Sequence, residues 1–524
     1  MNALAIDLGT TAAKVSVVRE DGHILGSGTV PVETVFGPER AAEQDPELVW
    51  QAVLRAARQA LAEAGTAATN EVRVVCATSQ WSSIIPVDAS GMPVGPMFVW
   101  LDHRGERFTA AITAGDSDGG AGTFAHWADV HGLYPSTSLT HILYVQHERP
   151  DMHARTAAYL EPMDYLNARF CGRIAATGCT AMPLSLSDNR MLGAPHWSTD
   201  LIERAGVDAS KLPEMVPSLS TLGPVLESVA RTLGLRSDVM VVAGANDSVA
   251  AALGTDALAP GQGTVVMGTT GVLTAHHPTR VVDPTKFIAT MPSALSDRFY
   301  VMAEAGLGGK VLEMFLHEIV HGDDALVDAS TPDDLFERVS NVVADVPPGS
   351  DGLLFLPWLI GSAAPKVDGR HRGAFIGMSM RTTRAHMLRA VLEGIALQMR
   401  WLADEVETTL GVTFSTMRFA GGGAQSDAWA QAMANVLGRS IEQVEGPRHA
   451  NARGAGLLGF LSLGRIGVND LATLVPIRQR YEPEPSSAAM FDERISIYRD
   501  LHERLAEPFS RLNARSQHPT YVST

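Results

Sequence analysis

The stretch Ala3-Leu4-Ala5-Ile6-Asp7-Leu8-Gly9-Thr10-Thr11, followed closely by Val15-Ser16-Val17-Val18, decides the fold. Its two apolar runs predict two strands, and the Gly-Thr-Thr between them predicts the turn that joins them. The pattern occurs again about 260 residues later, where Gly263–Met267 leads through Gly268-Thr269-Thr270-Gly271 into Val272-Leu273. Two related halves, each with a strand–turn–strand unit, are therefore expected.

Other strand and helix patterns alternate with these units. The apolar run 72–77 ends in Thr78-Ser79-Gln80-Trp81-Ser82, and the run 239–243 ends in Gly244-Ala245-Asn246-Asp247. Helical patterns occupy 46–64, 384–407 and 427–437, the first with Asp45 as N-cap and Pro46 at the first helical position. This alternation predicts an α/β protein.

The halves predict the domain limits. We expect an N-terminal domain over 1–243, a C-terminal domain over 244–482 and an extension over 483–524. A charged helical pattern over 492–505 predicts a surface helix in the extension, and the residues after 511 should be loosely held.

Composition excludes several classes of protein. The chain has 524 residues, 45% of them apolar and 19% charged, and its net charge is 41 − 58 = −17. An acidic surface of this kind argues against general binding to nucleic acid or to anionic membranes. The longest apolar stretches are far shorter than the roughly 20 residues that span a bilayer. Three cysteines without C-x-x-C spacing fit a reducing compartment, so a cytoplasmic location is expected.

The two Gly-Thr-Thr turns have the composition of phosphate-binding turns. Turns of glycine and small hydroxyl residues let backbone N–H groups approach phosphate oxygens closely. Asp7 precedes the first turn and offers a carboxylate for Mg²⁺, and Lys14 follows it as a counter-charge for phosphate. For each turn taken singly, an ordinary hairpin without a phosphate ligand is the alternative. No G-x-x-x-x-G-K-[ST] loop occurs, and Gly306-Leu307-Gly308-Gly309-Lys310 lacks its spacing.

Asp247 is the candidate catalytic carboxylate. It follows a strand end, where catalytic groups of α/β proteins collect. From the local sequence alone, a role as helix N-cap is the favoured alternative, because Asp often fills that position.

The motifs together resemble the FGGY carbohydrate kinases. The most specific match is Gly373-Ala374-Phe375-Ile376-Gly377-Met378, then seven residues, then His386-Met387-Leu388-Arg389-Ala390-Val391-Leu392-Glu393. Supporting matches, in order, are Asp7–Thr11, Trp100-Leu101-Asp102-His103-Arg104, Asp164-Tyr165-Leu166, Gly244–Asp247, Gly268–Gly271 and Gly421-Gly422-Gly423-Ala424-Gln425-Ser426. The resemblance implies two ribonuclease-H-like domains of the actin/hexokinase ATPase type, with an interdomain cleft.

The resemblance also implies ligands and roles. ATP, Mg²⁺ and a small sugar are the expected ligands, and Asp247 is the expected general base. The implied phosphate-binding residues are Gly9, Thr10, Thr11, Lys14, Gly268, Thr269, Thr270 and Gly271. The implied adenosine-binding residues are Gly422, Gly423, Ala424 and Gln425. The implied sugar-pocket residues are Gln80, Trp81, Ser82, Trp100, Asp102, Asn246 and Asp247.

Purely structural roles are the alternatives for several of these residues. Trp81 and Trp100 could be core residues, Asp102 could simply pair with Arg104, and the glycine cluster could be an ordinary helix entry. Dimers are common among similar enzymes, so a homodimer is compatible with the resemblance.

The sugar is less defined than the reaction. Xylulokinases usually have Gln-Met-His and glycerol kinases Gln-Arg-Glu where this chain has Gln80-Trp81-Ser82. His141 and Tyr144 replace a Lys and a Trp, and Gly361-Ser362-Ala363-Ala364-Pro365 lacks the two charges of Gly-Glu-Arg-x-Pro. The chain most resembles the xylulokinase-like branch, so D-xylulose is the expected substrate. Gluconate, ribulose, glycerol or a tetritol are alternatives, as are an actin- or chaperone-like ATPase switch and a non-catalytic sugar sensor.

Overall fold

The computed structural model describes residues 1–113, 121–132, 137–321 and 334–513. Its strands are β1 (Asn2–Leu8), β2 (Ala12–Arg19), β3 (Ile24–Pro31), β4 (Val35–Phe36), β5 (Ala42–Gln44), β6 (Val72–Ser79), β7 (Ile85–Val87), β8 (Met97–Phe98), β9 (Ala158–Leu160), β10 (Ala175–Thr177), β11 (Glu214–Val216), β12 (Thr221–Pro224), β13 (Met240–Val242), β14 (Gln262–Met267), β15 (Thr270–His277), β16 (Val282–Asp283), β17 (Ile288–Pro292), β18 (Phe299–Leu307), β19 (Leu354–Leu356), β20 (Ala374–Ile376), β21 (Thr416–Ala420), β22 (Ser440–Val444) and β23 (Ile477–Tyr481). Its α-helices are α1 (Pro46–Asn70), α2 (Glu106–Thr113), α3 (Ala121–Val130), α4 (Thr137–Glu148), α5 (Pro150–Arg155), α6 (Pro162–Cys171), α7 (Thr199–Ala205), α8 (Glu227–Leu233), α9 (Asp247–Gly254), α10 (Gly309–Met314), α11 (Leu335–Ala344), α12 (Arg384–Leu410), α13 (Asp427–Leu437), α14 (Ala450–Ser462), α15 (Leu471–Leu474) and α16 (Pro485–Leu512).

Two large sheets have the same strand arrangement. The first has the order β3-β2-β1-β6-β13-β12, and the second contains β18-β15-β14-β21-β22-β23, with β17 and β16 beyond β18. In each sheet the three central strands are parallel and the outer pairs are antiparallel. The predicted duplication is therefore present in the topology, and corresponding loops leave corresponding strand ends.

Helices α9 and α14 cross where the two halves meet. Helix α14 packs on β1, β2 and β6 of the first sheet, although it lies in the second half of the sequence. At the crossing, a Cβ on Gly254 would lie 1.9 Å from Ala450 O, and one on Gly454 would lie 1.8 Å from Ala250 O. Only glycine permits this backbone contact, so these two positions fix how closely the halves approach.

Local sequence explains the helix ends. Asp45 Oδ1 accepts from the N–H of Glu47 at 2.8 Å and of Leu48 at 3.2 Å, as the predicted N-cap of α1 should. The helices predicted over 46–64, 384–407 and 427–437 are α1, α12 and α13. The helix of the extension, α16, is longer at both ends than the predicted 492–505. The predicted loose tail lies mostly outside the described residues, and the domain limits stay a prediction.

Helix α16 docks on the second half through a buried pair of histidines. The rings of His371 and His502 stack with centroids 4.1 Å apart, and His502 Nε2 pairs with Ser362 Oγ at 2.9 Å. Burial, with a smaller contribution from His371, lowers the pKa of His502 to about 4. The His502 ring is therefore neutral at pH 7. Among the described helices, we find none with the length and apolar character needed to cross a membrane.

Candidate active site

The first Gly-Thr-Thr turn is a tight hairpin at the carboxyl end of β1. The Gly9 N–H donates to Ala12 O at 3.0 Å, which leaves Thr10 and Thr11 at the tip. Asp7 and Lys14 are cross-strand partners, with Lys14 Nζ 3.7 Å from Asp7 Oδ2. The turn therefore has a carboxylate and an ammonium group beside its backbone amides.

Asp7 is suited to hold a divalent cation. The residue is 5% exposed, and Asn451 Nδ2 lies 3.5 Å from its Oδ1. The charge of Asp7 contributes to the raised pKa of Asp247, so two carboxylates share this region. Mg²⁺ prefers oxygen ligands and usually takes one or two carboxylates together with waters and phosphate oxygens. The donor set therefore fits Mg²⁺.

The second turn lies in the corresponding place, after β14. The Gly268 N–H donates to Thr270 O at 3.0 Å, Thr269 is exposed, and Thr270 and Gly271 already belong to β15. The N–H groups of Gly308 and Gly309 donate to Thr269 O and Gly268 O at 2.9 and 2.7 Å. The sequence predicts no role for this glycine pair because it does not have P-loop spacing. In the structure its two N–H groups hold the second turn by hydrogen bonds.

The glycine cluster follows β21, next to the second turn. Gly421 has φ +88°, and a Cβ there would lie 2.6 Å from Met267 O at the end of β14. The loop continues through a 3₁₀ turn, Gly423–Gln425, in which Gly422 and Gln425 are exposed. Ser426 then caps α13 by accepting from Trp429 N at 3.2 Å. The predicted adenosine loop is thus both a helix entry and the neighbour of the second Gly-Thr-Thr turn.

Asp247 is the first residue of α9, and it is not the N-cap. Asn246 fills that position, since its Oδ1 accepts from Val249 N at 3.0 Å. Asp247 is partly buried, and its Oδ1 accepts from Ser248 N at 2.7 Å and from Ser248 Oγ at 3.1 Å. Burial, and then the charge of Asp7, raise the pKa of Asp247 to about 7. A carboxyl group that titrates near neutrality is suited to general base catalysis.

The loop Gln80-Trp81-Ser82 follows β6 and lies beside the first turn. Gln80 is buried, and its N–H donates to Leu8 O at 2.7 Å. Ser82 has φ +59°, and the next residue, Ser83, donates its N–H to Glu161 Oε2 at 3.1 Å. Trp81 is partly buried against the core between the two halves. Glu161, which supports this loop from 78 residues away, was not identified from the sequence because no local pattern marks it.

Trp100 and Asp102 belong to one turn and differ in role. Asp102 is 1% exposed, and Arg104 Nε donates to its Oδ1 and Oδ2 at 3.1 and 3.0 Å while Ala42 N donates to Oδ2 at 2.9 Å. The pairing with Arg104 is therefore present, and the carboxylate supports the turn. Trp100 is 39% exposed, so it is not a core residue, and its Nε1 donates to Thr10 Oγ1 at 3.0 Å.

The structure brings the candidate residues together at one edge of each sheet. In the first sheet, the carboxyl ends of β1, β6 and β13 lead into the first turn, the Gln80 loop and Asp247. In the second sheet, β14 and β21 lead into the second turn and the glycine cluster. Ligands of open α/β sheets bind at such edges.

Family comparison agrees with this geometry. The N-terminal domain model of the FGGY family of carbohydrate kinases matches residues 2–254, and the C-terminal domain model matches residues 263–463. The chain belongs to the FGGY family of carbohydrate kinases. This FGGY kinase is therefore an enzyme that uses ATP and acts on a small sugar.

Individual relatives cover nearly the whole FGGY kinase. The xylulose kinase of Lactococcus lactis subsp. lactis (strain IL1403) is 25% identical over 510 residues, 96% of this chain and 97% of that protein. The gluconokinase of Bacillus subtilis (strain 168) is 22% identical over 510 residues, 97% of each. The crystal structure of Plasmodium falciparum glycerol kinase with ADP superposes with a TM-score of 0.82 at 19% identity, covering 96% of this chain and 98% of that one. The predicted family and two-domain fold are confirmed.

Proposed function

We propose that this kinase transfers the γ-phosphate of Mg-ATP to a hydroxyl group of a small uncharged sugar, with D-xylulose as the first candidate. The observation that carries the proposal is the Asp247 carboxyl group. It is not the N-cap of α9, it has a pKa of about 7, and it lies beside Asp7. We assign it as the general base.

The proposed step needs one proton acceptor and precise positioning. Asp247 takes the proton from the sugar hydroxyl as that oxygen forms a bond to the γ-phosphorus. The bond between the γ-phosphorus and the bridging oxygen breaks, and ADP leaves. In-line transfer of this kind depends mainly on alignment and on neutralising the phosphoryl oxygens.

The remaining site residues are assigned by position. The turns Gly9–Thr11 and Gly268–Gly271, with Lys14, would hold the phosphates, and Gly422–Gln425 would hold the adenosine. Gln80, Trp81, Ser82, Trp100 and Asn246 would line the sugar pocket, while Asp102 would act through the turn that carries Trp100. When bound at Asp7, Mg²⁺ supplies charge neutralisation for the phosphate oxygens.

Charge near the sugar loops favours an uncharged sugar over gluconate. The described cationic side chains beside Trp100 and Asp102 are already paired with carboxylates of the protein. Arg104 is bonded to Asp102 and to Glu43 Oε1 at 2.5 Å, and burial lowers the pKa of His141 to about 4, so its ring is neutral. A carboxylate substrate would need a free cation to offset its desolvation. The similarity to a gluconokinase keeps gluconate as the second candidate.

A substrate panel tests the proposal. D-Xylulose, ribulose, gluconate, glycerol and a tetritol are each supplied with ATP and Mg²⁺, and ADP release is measured. We expect the largest kcat/KM for D-xylulose. Asp247→Asn should abolish sugar-dependent ADP release while ATP affinity stays within a few-fold. Asp238→Asn, at an exposed ion pair with Arg236, is the matched control and should retain activity.

Other outcomes would reject parts of the proposal. Turnover retained in Asp247→Asn would reject the assigned base, and a preference for gluconate would reject the argument from charge. A homodimer and a cytoplasmic location stay predictions.

A further inference from the structure

The proposed sugar pocket and the first phosphate turn share one hydroxyl group. Trp100 Nε1 donates to Thr10 Oγ1 at 3.0 Å, and Thr10 Oγ1 donates to Gln80 Oε1. Gln80 and Trp100 belong to the sugar pocket, whereas Thr10 belongs to the phosphate turn. Two consecutive hydrogen bonds therefore join the places of the two substrates.

The Thr10 hydroxyl has no hydrogen left for a phosphate oxygen. A threonine hydroxyl donates one hydrogen bond, and here that hydrogen goes to Gln80. The bond from Trp100 uses acceptor capacity on the same oxygen. Contact between this hydroxyl and ATP therefore requires that Gln80 first release it.

Gln80 has the chemistry to exchange this bond for one to a sugar. Its side chain is only 5% exposed, and its Nε2 has no hydrogen-bond partner among the residues that the structure describes. A buried donor without a partner is unfavourable, and a sugar hydroxyl that accepts from Nε2 would satisfy it. A second sugar hydroxyl that donates to Oε1 would compete with Thr10 for the same acceptor.

The main chain keeps these groups in place while the side chains exchange partners. The Gln80 N–H is bonded to Leu8 O, and Gln44 Nε2 donates to Thr10 O at 2.7 Å. The Gln80 loop is therefore anchored to β1, and the Thr10 turn is anchored to Gln44 of β5. A change of partner at Gln80 alters the direction of one hydroxyl group and leaves the backbone where it is.

We propose that Gln80 is a positioning residue that couples the two substrates. Without sugar it holds the Thr10 hydroxyl away from ATP, and an occupied sugar site frees that hydroxyl for the γ-phosphate. The coupling rests on the proposed function. It weakens ATP binding when only water is present to accept the phosphoryl group, and so limits wasteful hydrolysis.

The test measures nucleotide binding in the absence of sugar. Gln80→Met removes the acceptor at similar length, so the Thr10 hydrogen becomes available to the nucleotide. Calorimetric titration with Mg²⁺ and the β,γ-imido analogue of ATP should show binding about tenfold tighter than in the wild type, because hydrogen bonds to charged groups are strong. Gln80→Glu keeps an acceptor oxygen and should show no gain. Thr10→Val added to Gln80→Met should remove the gain.

The outcomes separate this inference from the proposed function. If Gln80 is only a sugar ligand, Gln80→Met binds the analogue no more tightly than the wild type, and the coupling is overturned. Gln80→Leu also removes the acceptor oxygen but has a different side-chain shape. The test therefore needs only one of these two variants to fold. A wild-type enzyme that releases no ADP with any sugar would instead overturn the proposed function.

Discussion

Activity should depend on pH through Asp247. Its pKa of about 7, raised from an ordinary 3.8, is due first to burial and then to the charge of Asp7, while the bonds from Ser248 oppose the shift. With this pKa, about a tenth of the enzyme carries the ionised base at pH 6 and about nine-tenths at pH 8. If the base must be ionised, kcat/KM for the sugar should rise about tenfold across this range.

Two substitutions should move the midpoint in opposite directions. Asp7→Asn removes the neighbouring negative charge, so the midpoint should move to lower pH even though Mg²⁺ binding and the rate decline. Ser248→Ala removes the hydroxyl that stabilises the carboxylate, so the midpoint should move to higher pH.

The assay is a coupled measurement of ADP release between pH 5 and 9, with both substrates below saturation so that the profile reports the free enzyme. Titration of the nucleotide itself cannot give opposite shifts in two variants. A midpoint near pH 4, or one that is the same in all three enzymes, would refute the assignment of Asp247.

Three further predictions concern stability and the sugar loop. Gly454→Ala should lower the free energy of unfolding by about 3 kcal/mol or more, because its Cβ would lie 1.8 Å from Ala250 O. Gly422→Ala has open space around its Cβ and should leave the melting temperature unchanged. The His502 ring binds a proton near pH 6.5 in the unfolded chain but near pH 4 in the fold, so acidification from pH 7.5 to 5 should remove about 2 kcal/mol of stability that His502→Gln does not lose. Denaturant titrations at both pH values check this, and equal losses would contradict it. Asp102→Asn should raise the sugar KM several-fold more than the ATP KM, because it loosens the turn that carries Trp100. Steady-state kinetics with each substrate varied in turn measures both KM values. An equal rise in the two would contradict this prediction.

The sequence predicts features that depend on neighbouring residues. Both Gly-Thr-Thr hairpins, the polar strand ends and the cap of α1 follow from local patterns, because turn and capping preferences act over a few residues. At Asp247 the local pattern left two roles open. The structure assigns the cap to Asn246, one residue earlier, and only the fold decides which of the two side chains accepts from the N–H of the third residue of α9, Val249.

Contacts between distant residues were not predictable in this way. Asn451 reaches Asp7 from 444 positions away, and the contact of Gly254 with α14 joins two halves of the chain. Glu161 supports the Gln80 loop without any motif of its own. Each of these contacts depends on how the sheets are placed together, which no local pattern of residues encodes.

The crossing of α9 with α14 lies close to the proposed base, Asp247. Asp247 stands at one end of α9 and Gly254 at the other, so about 10 Å of helix separates the carboxylate from the crossing. Were one sheet to rotate by about 10° about that crossing, Asp247 would travel only about 2 Å, while loops farther out would sweep several times that distance. If the cleft opens by rotation about this crossing, the proposed base therefore moves less than groups that lie farther from it.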